Sequence, residues 1–138
     1  MTNTPFPKTL KMLDQMETIA RERMVDNDGK DYVYSRRPNI GGSCLYVHLG
    51  EGKNGADVPG CIIGTWLHEY KQVPLSALQR CEYTKASEVI AKALLPGERD
   101  ELLARVANAV QDKQDTGWSW LRAVTSVRKS FMNAYVNV

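Results

Sequence analysis

The sequence predicts a mainly helical α+β fold, a helical bundle of about five helices with a small two-stranded antiparallel ribbon. Three observations carry this. Apolar residues recur at helical spacing in one stretch after another, and the most apolar segment, Val58 to His68, sits near the middle of the chain. Only Tyr32-Val33-Tyr34 and Cys44 to Leu49 have the aromatic and β-branched composition of strands. Pro and Gly fall between these stretches and punctuate them.

Taken in order, residues 1–7 are a polar, Pro-broken lead, expected to be flexible. Pro7 suits the first turn of a helix over Lys8 to Met24, with Leu10, Leu13, Met16 or Glu17, Ala20 and Met24 as its apolar stripe and Ile19 widening it. Asp26 to Asp31 reads as a Gly-containing turn. The Tyr32–Tyr34 and Cys44–Leu49 strands are expected to pair with each other across the Arg36–Gly42 loop. Pro59-Gly60 stops the chain before a central helix that buries Ile62, Ile63, Trp66 and Leu67.

The second half reads as helix throughout. Pro74 opens a short helix through Leu78, and Thr84 is the expected cap of a helix over Lys85 to Leu94. Leu95-Pro96-Gly97 breaks it. A helix over Glu98 to Gln114 carries Leu103, Val106, Ala107 and Val110 at core spacing, and Gly117 ends it. The last helix is expected from Trp118 to Tyr135, with Trp120, Val124, Val127, Phe131 and Tyr135 facing inward. The chain of 138 residues shows no repeat, low-complexity run or linker, so residues 1–138 are expected to form a single domain.

Composition narrows the function classes. The net charge of +2 is too small to imply a nucleic-acid partner from charge alone, so any basic footprint must be local. Three cysteines form an odd, sparse set that suits reduced thiols in a cytoplasm better than a disulfide framework. The first residues lack a basic region followed by an apolar run, and no stretch approaches the roughly 18 apolar residues of a membrane span. No signal peptide or membrane segment is expected.

Cys44, His48, Cys61 and His68 are the right residue types for zinc. Spacing argues against it: on one strand Cys44 and His48 stand about 13 Å apart, and on one helix Cys61 and His68 stand about 10 Å apart. Cys61 after Pro59-Gly60 sits where a helix dipole lowers a thiol pKa, which raises a cysteine-dependent hydrolase with His48 as the base. Asp26-Asn27-Asp28-Gly29 tempts a calcium reading, but the loop register puts Met24 where the first carboxylate belongs. A buried structural thiol, a turn and no metal or cofactor are the expectations. Arg36 and Arg37 beside two glycines form a candidate anion or partner contact.

On the last helix, the same angular arithmetic that turns Trp120 inward turns Trp118, Arg122, Thr125, Lys129 and Met132 outward. Trp118, Arg122, Lys129 and Met132 are therefore the candidate partner-binding residues, since Trp and Arg are enriched at binding hot spots. The structural alternative is that the Trp118 ring covers the Gly117 turn.

Three pieces of the chain carry a resemblance: Cys44-Leu45-Tyr46, Pro59-Gly60-Cys61-Ile62-Ile63-Gly64, and Gln111-Asp112-Lys113-Gln114-Asp115-Thr116-Gly117-Trp118-Ser119-Trp120. Together they resemble small uncharacterised proteins of actinobacteria and actinobacteriophages, which show a Cys-x-Tyr, Pro-x-Cys-Ile-x-Gly and Gln-Asp-x-Gln-Asp-x-Gly-x-x-Trp pattern. The resemblance implies an accessory protein of phage type, acting in the cytoplasm of a bacterial host cell, and it identifies no catalytic residue. The leading expectation is a non-enzymatic interaction protein that binds a host protein. The alternative is a nucleic-acid-associated protein using a local basic and aromatic patch, and a cysteine-dependent hydrolase comes third.

Overall fold

A computed structural model describes residues 5–34, 45–82 and 84–137. The chain is a mainly helical α+β fold with a two-stranded antiparallel sheet. Its elements are α1 (Pro7–Asp26), β1 (Val47–His48), β2 (Val58–Pro59), α2 (Ile62–Lys71), α3 (Leu75–Gln79), α4 (Ala86–Ala93), α5 (Leu103–Asp115) and α6 (Trp120–Phe131). Helix α1 packs on α2 and α6, and α5 runs between α4 and α6. One core joins them, with Trp66 and Trp120 its two largest fully buried side chains. No described helix is long and apolar enough to cross a membrane.

The helical stripes bury as their spacing requires. Leu13, Met16, Ile19 and Ala20 line the inner face of α1, and Leu103, Val106, Ala107 and Val110 that of α5. On α1 the unexpected Met12 joins them, while Leu10 and Met24 are only half-buried at the two ends of the stripe. Trp120, Val124, Val127 and Phe131 do the same on α6. Tyr135 departs from the expected stripe at 41% exposure. The α-helix ends at Phe131 and loosens into a π-helical turn over Met132–Val136, which changes the angular step. Phe6, from the lead expected to be flexible, packs its ring edge-on against Phe131 and Tyr135.

The ribbon forms with a different pairing from the one expected. Val47 pairs with Pro59 and His48 with Val58. Tyr32 to Tyr34 instead lies along the start of α6, where Val33 bridges Ser119 and the Trp120 amide donates to the Tyr32 carbonyl at 2.8 Å. The two pairings would close loops of equal length, residues 35–43 and 49–57, so closure entropy does not choose between them. Tyr32 to Tyr34 is taken up by α6, and β1 reaches its partner through the 49–57 loop. Gly50 and Gly55 turn it with φ of 68° and 74°, and Asp57 Oδ1 accepts from the Gly50 amide.

The start of α2 is pressed against β1. The Gly60 and Cys61 amides donate to the Tyr46 and Leu45 carbonyls, both at 2.8 Å. A Cβ on Gly64 would lie 2.4 Å from the Tyr46 carbonyl oxygen, so only glycine admits this approach.

Helix ends supply the other corrections. Instead of Thr84, the side chain of Gln111 caps α4, its Oε1 accepting from the Ala86 amide at 2.9 Å. Gln114 Oε1 accepts from the Ile62 amide at 2.9 Å and caps α2 in the same way. Asp100 serves two helix starts at once. Its Oδ2 accepts from the Lys8 and Thr9 amides of α1, and its Oδ1 from the Leu102 and Leu103 amides. This carboxylate, preceded by a 3₁₀ turn at Pro96–Glu98, is why α5 begins at Leu103 rather than Glu98. Ser119 Oγ accepts from the Arg122 amide, so α6 begins at Trp120 rather than Trp118.

Candidate functional site

The Trp118 face is built where α5 hands over to α6. Gly117 adopts φ 97°, and the Trp118 and Gly117 amides donate to the Lys113 and Gln114 carbonyls at 3.1 Å. This is the Schellman closure of a helix end. It brings the chain back on itself and sets the Trp118 ring beside two cations. Lys113 Nζ lies 4.2 Å from the ring centroid and the Arg122 guanidinium carbon 5.0 Å. Both fall within the range of a cation–π attraction, about 0.5–1 kcal/mol at an exposed site.

Trp118 itself is half-buried, with part of its ring against the core. It therefore covers the Gly117 turn and still offers a surface. Arg122, Thr125 and Lys129 are exposed along one face of α6, as the angular arithmetic requires. Arg122 and Lys129 stand about 10 Å apart along the axis. Met132 shares that side but rests against the core from the π-helical turn. Arg36 and Arg37 lie outside the described residues. Lys113 was not among the residues expected at this site. It belongs to a different helix, and only the turn at Gly117 carries Trp118 back to it.

A second polar constellation surrounds His48 in a cleft of about 480 Å³ lined by Arg23, Asp26, Tyr32, Glu51 and Glu69 among others. Glu51 Oε2 lies 2.8 Å from His48 Nδ1, and the Tyr34 hydroxyl lies 2.9 Å from His48 Nε2. A carboxylate at Nδ1 holds the proton there, so in the neutral ring Nε2 accepts from the Tyr34 hydroxyl. That hydroxyl in turn accepts from the Leu45 amide at 3.0 Å. The chain of bonds ties Tyr34 to the start of the ribbon. Burial above all lifts the Tyr32 phenol beyond its ordinary value, with Arg23 opposing, so Tyr32 is a neutral phenol at physiological pH.

This geometry bears on the zinc and hydrolase readings. Both ring nitrogens of His48 have oxygen partners, and His68 Nδ1 lies 3.0 Å from the Val73 carbonyl oxygen. Cys61 is fully buried at the N-cap of α2, among Ile62, Ile63 and Trp66. Cys44 lies outside the described residues. Among the described residues no three His, Cys, Asp or Glu side chains are grouped to hold a metal ion. In the Asp26–Asp31 segment, Asn27 Nδ2 donates to the Lys30 and Asp31 carbonyls, and Asp28 and Gly29 take positive φ. The segment is a turn.

The Gln111 to Asp115 motif divides into an inner and an outer half. Gln111 and Gln114 are buried and cap α4 and α2, and Gln111 Nε2 also donates to the Tyr46 hydroxyl at 3.0 Å. Asp112 is exposed, and Asp115 Oδ1 accepts from Gln114 Nε2 at 3.1 Å. Two glutamines at core spacing behind Ala107 and Val110 were the signal in the sequence, since a buried amide must find partners. Compared with models of protein families, with curated proteins and with solved structures, the chain finds no match.

Proposed function

We propose that the chain is a non-enzymatic interaction protein of phage accessory type that binds a bacterial host protein in the cytoplasm through the Trp118 face. The observation that supports this reading is the Trp118 ring held beside Lys113 and Arg122 at the surface. A large aromatic with a fixed orientation loses little entropy on binding, and its two cations favour a partner surface bearing carboxylates. Phage origin and a host partner rest on the motif resemblance, and the cytoplasm on the odd cysteine set.

The test is an affinity capture from a bacterial lysate with wild type, Trp118→Ala and Arg122→Glu chains of equal thermal stability. A host protein retained by wild type and lost by both variants supports the reading. Capture that survives both variants sinks it. A second reading draws on the same residues: Trp118 beside Lys113 and Arg122, with Lys129 further along α6, suits a base stacked on the ring and phosphates along the helix. A gel shift with single-stranded DNA or RNA that is abolished by Trp118→Ala and weakens steeply with salt would favour nucleic acid over a host protein.

A further inference from the structure

A groove of about 550 Å³ opens on another part of the molecule, between the end of α2, α3 and α4. Val73, Ala77, Leu78, Val89 and Ala93 form its apolar lining. Leu78 and Val89 are fully buried as a floor, while Val73, Ala77 and Ala93 are half-exposed as walls. Lys71, Arg80 and Lys92 are its charged lining, and no carboxylate belongs to it among the described residues. These cations sit at the ends of three elements: Lys71 closes α2, Arg80 is the C-cap of α3, and Lys92 is in the last turn of α4.

Helix dipoles account for cations at helix C-termini. They do not account for the apolar surface those cations enclose. Nor are the charges neutralised by ion pairs among the described residues. Elsewhere cations find carboxylates, as Arg128 does with Asp14 and Glu17, and Arg21 with Glu17. Lys71, Arg80 and Lys92 form no ion pair among the described residues, and Lys71 Nζ lies instead 5.7 Å from the Trp66 ring centroid. Arg80 and Lys92 are exposed to solvent. The groove thus combines an apolar floor with exposed positive charge on two separate elements, Arg80 at the end of α3 and Lys92 on α4. A single small anion would engage at one point. A helix with apolar residues on one face and carboxylates flanking them matches the floor and the rim together.

We propose that this groove docks an acidic amphipathic helix of a partner protein, apolar face down on Leu78 and Val89, with its carboxylates against Arg80 and Lys92. The site is separate from the Trp118 face and does not depend on what that face binds.

The probe is a synthetic amphipathic peptide of about 15 residues, long enough to form a helix, with Leu on one face and Glu on its flanks. A second peptide replaces every Glu by Lys. Titration of the full chain is followed by fluorescence anisotropy and by amide chemical shifts. Expected are shifts at Val73, Ala77 and Ala93, binding of the acidic peptide at least about tenfold tighter than of the basic one, and weakening with added salt. Charge reversal by Arg80→Glu with Lys92→Glu, at exposed positions that leave the core intact, should weaken the acidic peptide by about tenfold or more. Ala77→Trp, which fills the groove without altering charge, should do the same. Shifts confined to Trp118 and Arg122, equal binding of both peptides, or no binding of the acidic peptide would each overturn the proposal. So would dodecanoate or a single-stranded oligonucleotide binding the groove where the acidic peptide does not.

Discussion

Trp118 and Trp120 flank Ser119, carry the same side chain and are put to opposite uses. Trp120 is fully buried on the inner stripe of α6, with the Tyr32 ring edge-on at 4.6 Å and the Arg23 guanidinium 5.7 Å from its centroid. Trp118 stands just before the helix, half-buried, beside Lys113 and Arg122. One indole is enclosed by the bundle and the other lies half-exposed at its surface. The difference comes from Ser119, whose hydroxyl starts α6 and so sets which of the two rings the helical phase turns inward.

The strongest way to break this comparison is truncation of each ring. Trp120→Ala should lower stability by about 3–5 kcal/mol, as a large-to-small change in a packed core does. Trp118→Ala should leave the unfolding midpoint close to wild type while abolishing partner capture. Denaturant unfolding of both variants decides it, and equal losses would dissolve the distinction. Trp120→Phe sharpens the same point. Among the described residues the Trp120 Nε1 has no hydrogen-bond partner, so Phe should cost well under half of what Ala does because it keeps a ring against Tyr32.

The glutamine motif repeats the contrast within one helix. Gln114→Ala should lose about 1–3 kcal/mol, because it leaves the buried Ile62 amide at the start of α2 without an acceptor. Gln111→Ala should behave alike through the Ala86 amide. Asp112→Ala, at an exposed position, should stay within about 0.5 kcal/mol of wild type. Thermal denaturation of the three variants checks this, and an Asp112 effect as large as that of Gln114 would contradict it.

Glu82 gives the comparison a pH dependence. Its carboxyl accepts from the Tyr46 and Val47 amides, but burial outweighs those bonds and raises it above the ordinary glutamate value of 4.5. The folded chain therefore holds this proton more tightly than the unfolded chain does. The group's contribution to stability is complete below pH 4.5 and is lost as pH rises through the raised value. Glu82→Gln, which keeps an acceptor oxygen and removes the charge, should flatten that part of the stability profile. Unfolding midpoints across the acid range measure it, and an unchanged slope would contradict the assignment.

The smallest expected effect lies back at the surface. Arg122→Ala removes one cation from beside Trp118 and should cost at most about 1 kcal/mol of stability. The same substitution should weaken partner capture several-fold. A loss of stability as large as that of Gln114→Ala would make Arg122 a structural residue.

Much of this was legible in the residues. The stripes of α5 and α6 up to Phe131, most of that of α1, and the burial of Trp66, Trp120 and Cys61 follow from spacing and residue type. The outward set Arg122, Thr125 and Lys129 followed from the same arithmetic. Tyr135 did not, because the arithmetic assumes an unbroken α-helix and the chain leaves that geometry at Met132. Thr84 was a reasonable local cap, yet the Ala86 amide is satisfied from α5 instead.

What the sequence by itself determined is therefore local: which segments are helical, which face of each is apolar, and where Gly and Pro end them. The tertiary structure alone decided the ribbon partner of Val47 and His48, the capping of α1, α2 and α4 by Asp100, Gln114 and Gln111, the arrival of Lys113 at Trp118, and the apolar groove ringed by cations. The physical reason is reach. Helical periodicity is set by bonds between residues one turn apart. Gln114 caps Ile62 across 52 residues of chain and Asp100 caps Thr9 across 91, distances over which only the packed core brings a donor to its acceptor.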